Sequence, residues 1–308
     1  MSASASSISE AVPPLERLVA VEMLRPVSQD AHALAEAARL RHGPAVAAVL
    51  FYGSCLREDP SGSDRMLDLY LLVDSYARVE PRPLLARLAR LLPPNVHYVE
   101  TPLDGRTVRA KYAIVETDQL TRLAADGADE SYFWGRFAQP VRLVWSRDEA
   151  ARVAAETIVA TSVRTFLGEA LPLLPPGAGS DEVWAHALSL SYGSELRSER
   201  PGKAQAIVAA EPERYAAMLD AYRAEGHPAL SAAVTAARWR RRRRRGKLRS
   251  VLRLMKAAFT FDGGADYLAW KIGRHSGVRI EVTDWQRRHP ILAAPFLYFR
   301  LYRAGAFR

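Results

Sequence analysis

The chain has 308 residues, 49% of them hydrophobic and 25% charged, a composition that fits a folded globular protein and excludes a disordered or fibrous one. Its 43 basic against 34 acidic residues leave a net charge of +9, which favours anionic partners such as nucleotides, phospholipid surfaces or nucleic acid. The single cysteine, Cys55, excludes an intramolecular disulfide and a Cys-cluster zinc site and suits a reducing, cytosolic compartment.

In chain order, residues 1–28 read as a flexible leader, since Met1–Glu10 is Ser-rich and lacks the apolar core of a secretory signal. Gln29–His42 carries Ala and Leu at helical spacing and is stopped by Gly43-Pro44. The apolar run Val46–Tyr52 predicts a buried strand, Gly53-Ser54 a turn, and Met66–Val73 a second strand. Leu84–Leu92 predicts a helix, Val108–Val115 a strand, Asp118 the cap of a short helix, and Val141–Trp145 a further short strand. From Asp148 onward helical patterns take over at Ala150–Leu171, Asp181–Leu190, Glu211–Glu225 and Ala229–Arg238. The expected organisation is an α/β (α+β) domain over 29–147, a mostly helical second domain over 148–237, and a basic, aromatic region over 238–308. No apolar run reaches the roughly 18 to 20 residues needed to span a bilayer, so any membrane contact is expected to be peripheral. Only five of the basic residues are Lys and Ala is abundant, which suggests a GC-rich bacterial genome.

The turn between the first two strands is where chemistry is expected. A glycine lets backbone approach phosphate oxygens, and the Ser54 hydroxyl with adjacent N–H groups can donate to them. Asp68, on the second strand, is a hard oxygen ligand suited to Mg²⁺ on a triphosphate. Asp74 lies on the same strand face by period-two alternation, although about 20 Å along an extended strand. Gly-Ser followed by Asp also occurs as a plain turn before a strand. The place two residues after Asp68, where a second acid would sit, holds Tyr70.

Four blocks, FYGSCLREDPSGSDRMLDLYLLVD (51–74), KYAIVETDQL (111–120), GRFAQPVRLV (135–144) and LSLSYGSELR (188–197), occur in an order and spacing that resembles the mitochondrial-type phosphatidate cytidylyltransferases, over roughly 46–222. The resemblance implies a nucleotidyltransferase fold and transfer of CMP from CTP to phosphatidic acid with Mg²⁺, giving CDP-diacylglycerol and pyrophosphate. It also implies site residues: Asp68 and Lys111 in catalysis, Asp68 and Asp74 on the metal, and Gly53, Ser54, Arg136, Tyr192, Glu195 and Arg197 on the nucleotide. This chain departs from that pattern at Cys55, where glycine is usual, at Gln139, where lysine is usual, and in lacking the Trp-His and His-Tyr-Ser elements. Each residue also has a plainer reading: Arg136 paired with Asp148 or Glu149, Tyr192 in the core, and Lys111 as a snorkelling strand residue. Cys55 reads as a semi-buried filler.

Arg238–Arg249 holds eight Arg and one Lys and is expected to form a solvated face drawn to anionic headgroups on the inner side of a cytoplasmic membrane. Ile291–Tyr302 mixes aromatic and aliphatic residues with Arg, as interfacial helices do, and equally suits a helix packed on the core. The stretch 261–277 offers at most a helix N-terminus for an anion. The alternative functions are nucleotidyl transfer to RNA or a small acceptor, and a non-catalytic nucleic-acid-binding protein on a decayed transferase fold.

Overall fold

The structure, a computed structural model, describes residues 12–57, 66–195, 202–228, 230–260 and 283–288. Arg197, the stretch 261–277 and the aromatic stripe Ile291–Tyr302 lie outside the described residues.

The first half of the chain builds a five-stranded mixed sheet. Its elements are α1 (Leu15–Met23), α2 (Gln29–His42), β1 (Val46–Tyr52), α3 (Ser54–Arg57), β2 (Met66–Val73), α4 (Tyr76–Val79) and α5 (Pro83–Leu91). After these come β3 (Asn95–Leu103), β4 (Arg106–Glu116), α6 (Thr117–Ala124), α7 (Trp134–Phe137) and β5 (Val141–Ser146). The strand order is β3-β4-β2-β1-β5. β2 and β4 run parallel, and the other three pairings are antiparallel. α2 is capped by Ser28, whose hydroxyl accepts from the Ala31 N–H at 3.3 Å, and ends at Gly43. Asp104 and Gly105 both adopt positive φ in the two-residue turn joining β3 to β4, the geometry of a tight hairpin.

β1 and β2 are apolar on both faces because both are covered, as central strands require. Val49, Phe51, Leu69 and Leu71 meet Leu34 and Ala38 of α2 and Ala86 and Ala89 of α5. On the other face Leu50, Tyr70 and Leu72 meet the helices that follow. Those are α8 (Glu149–Gly168), α9 (Ser180–Tyr192), α10 (Lys203–Ala209), α11 (Pro212–Ala224) and α12 (Ala232–Thr260), with α13 (Asp284–Arg288) beyond them. Asp148 caps α8 by accepting from the Ala151 N–H at 2.8 Å, so the change of element type at 148 is where the sequence places it. Packing, however, does not break there. Ile158, Trp184, Leu188, Met218 and Trp239 share one core with Leu50, Tyr70 and Leu72 of the sheet, so the helical half is a third layer on the sheet rather than a separately cored domain.

Two further expectations change. Within the expected leader 1–28, residues 15–23 form α1, whose Leu15, Val19 and Met23 are buried in that same core. They recur at four-residue spacing and so make one helical stripe. The Arg run is not a wholly solvated face either. Arg242 donates to both Glu169 carboxylate oxygens at 2.6 and 2.9 Å, Arg238 donates to Glu169 at 2.7 Å, and the Trp239 indole donates to the Glu169 carbonyl at 2.6 Å. Arg241 and Arg245 reach Asp129 at 2.5 and 2.9 Å. Further along, Arg253 pairs with Glu130 at 2.7 Å, and Lys256 donates to the Leu92 and Pro94 carbonyls and to Asn95. One face of α12 is thus a clamp across the molecule. Among the described residues no helix is long and apolar enough to cross a membrane.

Candidate active site at the end of the central strands

The register of the sheet assembles a polar row where β1 ends. Tyr52 pairs with Asp68, Asp68 with Lys111, and Lys111 with Tyr98. Side chains directly opposite in adjacent strands share a face, so one row carries an acid, a base and two phenols. Lys111 Nζ lies 3.0 Å from Asp68 Oδ1, and the two side chains are 40% and 26% exposed. Both are reachable from solvent.

Gly53 turns the chain at the head of this row with φ +94°, a conformation that L side chains rarely adopt. A Cβ at that position would lie 3.1 Å from Asp68 Oδ2. The bare backbone therefore presses close to the carboxylate, and Ser54, exposed at the start of α3, stands beside it. Cys55 is buried and donates its thiol to the Met66 carbonyl at 3.3 Å, a filler between the turn and β2.

The row continues with Arg109, two residues before Lys111 on the same face of β4, and Glu100, its register partner on β3. Arg109 Nε is 3.4 Å from Glu100, and the Tyr98 hydroxyl donates to Glu100 at 2.7 Å. Burial, with Glu100 adding to it, pushes the Tyr98 phenol above its ordinary value. None of Tyr52, Tyr98, Glu100 and Arg109 is among the site residues expected from sequence. The alternation of 108–115 does place Arg109 with Lys111, but β3 has no clean alternation to place Tyr98 and Glu100.

Tyr70 fills the position where a second acid would stand. It is fully buried, with ring centroids 5.0 Å from Tyr52 and 5.0 Å from Phe137, and burial pushes its phenol well above the ordinary value. It is core, so Asp68 has no carboxylate neighbour at that place.

Asp74 is not brought to Asp68. β2 keeps an unbroken register with β4 from Met66 to Val73, and six residues of extended strand separate the two carboxylates by about 20 Å. Asp74 instead holds Arg147 and Arg78, each at 2.9 Å. The Arg147 hydrogen bonds keep its carboxyl below the ordinary aspartate value. The expected shared metal site at Asp68 and Asp74 is therefore corrected: the strand has no bend to close that gap.

Arg136 and Glu195 are brought together, but on each other. Arg136 makes a two-pronged ion pair to Glu195 at 2.8 and 2.8 Å, donates to the Tyr132 carbonyl at 2.6 Å, and stacks 3.7 Å above the Tyr132 ring. Burial opposes its charge, yet Glu195 outweighs burial and holds the guanidinium well above its ordinary value. The sequence alternative of Asp148 or Glu149 as its partner is replaced by Glu195. Tyr192 is half-buried against the core and donates to Gln139 Oε1 at 3.1 Å, with Lys203 Nζ 5.8 Å from its ring. This group adjoins the polar row through Tyr70, whose phenol senses the charge of Arg136.

Among the described residues no three His, Cys, Asp or Glu side chains gather in a way that could hold a metal ion. A divalent ion at this site would rest on Asp68 together with oxygens of a bound triphosphate. Mg²⁺ accepts such a set, since it commonly takes one or two carboxylates and substrate phosphates and keeps the rest of its shell as water. Comparison with protein families and with curated proteins gives no match.

Proposed function

We propose that this protein is a nucleotidyltransferase that passes a nucleotide from a triphosphate to a phosphate-bearing acceptor, with CTP and phosphatidic acid as the leading pair. The observation that carries the reading is the Gly53 backbone, so close that a Cβ there would lie 3.1 Å from Asp68 Oδ2, beside a half-buried Asp68 that pairs with Lys111 at the end of the central strands. Backbone that must approach a carboxylate closely, beside a hydroxyl and a cation, suits a metal-bound triphosphate. The pairing of β1 and β2 around a short helix, with β4 parallel to β2, is compatible with a nucleotidyltransferase fold.

In this reading Asp68 holds Mg²⁺, which supplies charge neutralisation and in-line alignment at the transferred phosphorus. Gly53 and Ser54 seat the triphosphate. Lys111 is close enough to Asp68 to exchange that partner for a phosphate oxygen and so offset charge on the nucleotide or acceptor. Arg136 and Glu195 act indirectly, because their mutual pair ties α7 to the turn that follows α9. Two acyl chains keep a phosphatidate acceptor in its bilayer, since each exposed CH₂ costs about 0.8 kcal/mol. The transferase must therefore work at the surface.

A second reading keeps the fold without the chemistry: the Asp68–Lys111 ion pair and Tyr70 in place of a second acid are what a decayed site would retain. One assay separates the two. The full chain is incubated with each radiolabelled triphosphate, Mg²⁺ and phosphatidate vesicles, and the lipid extract is counted. Label in the lipid phase with CTP supports the proposal. Label transferred to added RNA or a soluble alcohol moves the acceptor, and no transfer with any triphosphate overturns it.

A further inference from the structure

The inner face of α12 is spent on Glu169, Asp129 and Glu130, and its outer face is unlike it. Arg240, Arg243, Arg244 and Lys247 are exposed. So are Leu248 at 60%, Val251, Leu252 and Met255 at 60%. At 3.6 residues per turn these eight side chains fall on one half of the helix circumference. Thr235, Trp239, Arg242, Gly246 and Lys256 occupy the other half and are buried. The outer half is also divided along its length, with cations over 240–247 and apolar side chains over 248–255.

We infer that the outer face of α12 docks on an anionic lipid bilayer, with Arg240, Arg243, Arg244 and Lys247 on the headgroups and Leu248, Val251, Leu252 and Met255 in the shallow apolar boundary. Clustered exposed apolar side chains mark an interaction site, and the adjoining cations select the partner. Nucleic acid would use the cations and leave four apolar side chains with nothing to bury against. A second copy docked antiparallel over 248–255 would bury the apolar side chains but leave the four cations of 240–247 without a counter-charge. An anionic bilayer surface accepts both halves, as amphipathic interfacial helices do. Because Arg241, on the same outer half, is held by Asp129 and the inner arginines are already paired, the attraction comes from four cations rather than from the whole run. The inference rests on α12 alone: it makes a lipid acceptor reachable, but vesicle binding can succeed or fail independently of nucleotide transfer.

The test is sedimentation of the full chain with vesicles of phosphatidylcholine alone and of phosphatidylcholine mixed with phosphatidylglycerol. Binding is expected to the mixed vesicles, weakened by salt. The variant Arg243→Gln/Arg244→Gln should bind them about 30-fold more weakly, at about fivefold per cation. Leu248→Gln/Met255→Gln should remove the part of binding that resists salt. Neither pair touches the clamp, so thermal unfolding should be unchanged and the loss can be assigned to the surface. Absence of binding, or binding indifferent to both variants, overturns the inference. So does a single-stranded RNA complex lost in the arginine variant while vesicle binding persists, or self-association in solution lost in the apolar variant.

Discussion

Two arrangements in this molecule are built from the same ingredients, a carboxylate and its cations, and differ in almost everything else. Asp68 and Lys111 sit at the open end of the sheet, 26% and 40% exposed. Glu169 is fully buried between Arg238 and Arg242, with Trp239 packed edge-on to Trp134 beside it. An exposed pair contributes at most about 1 kcal/mol to stability and its partners can be exchanged for a ligand. A buried pair cannot be opened without stranding a charge. Burial and partners therefore decide which acid is available for chemistry and which is architecture. The density of charge along the sequence does not decide it, and the arginine-rich stretch 238–249 proves to be partly a fastening.

The largest effects are expected at the buried end. Glu169→Ala should destabilise the protein by about 3 to 5 kcal/mol in urea unfolding at neutral pH, because Arg242 is left buried without its partner. A loss below about 1 kcal/mol would mean that α12 is not clamped as described. Burial raises the Glu169 carboxyl, but the hydrogen bonds from Arg242 outweigh it and hold the carboxyl below the ordinary value of 4.5. With the folded value depressed, this stabilisation is fully present above the unfolded glutamate value and is lost as pH falls through the folded one. An acid titration of stability should therefore show a steeper fall below pH 4.5 in the wild type than in Glu169→Gln.

At the open end the effects should fall on ligands instead. Ser54→Ala should weaken triphosphate binding by about 1.5 to 3 kcal/mol, the range for a hydrogen bond to a charged group, and calorimetry with CTP and Mg²⁺ reads it directly. Unchanged affinity would remove Ser54 from the phosphate seat. Gly246→Ala tests the clamp at its closest contact, because the new Cβ would lie 2.3 Å from the Ser194 carbonyl oxygen. Alanine gains about 1 kcal/mol in helix propensity, but crowding against backbone costs about 1 to 3 kcal/mol. The expected outcome is a net loss of stability, and a net gain would show that α12 lies further from the turn that follows α9. Smallest of all, Lys111→Met should change unfolding free energy by no more than about 0.5 kcal/mol, while lowering transfer activity.

Much of the sheet was legible because its boundaries are punctuated. Gly43-Pro44 ends α2, Gly53-Ser54 ends β1, and Asp148 opens α8, each within a residue or two of the expected place. α1 was hidden by Pro13-Pro14 and the Ser-rich residues before it, although Leu15, Val19 and Met23 already form a helical stripe. β3 offers no alternation, and its mark is the turn pair Asp104-Gly105 that follows it. The Asp68–Lys111 pair needed the parallel register of β2 and β4, which no local pattern encodes. In α12 the inward set depends on where Glu169, Asp129 and Glu130 arrive from other elements. Only Trp239 and Gly246, seven residues apart within the arginines, hint at a buried side.

One variant measured in two ways tests whether Asp68 carries the transfer chemistry. Asp68→Asn removes a charged oxygen and little volume from a half-buried position at the open end of the sheet. Wild-type protein is expected to move label from CTP into phosphatidate vesicles with Mg²⁺, and Asp68→Asn to abolish this while unfolding within about 0.5 kcal/mol of wild type. Full transfer by Asp68→Asn would contradict that role.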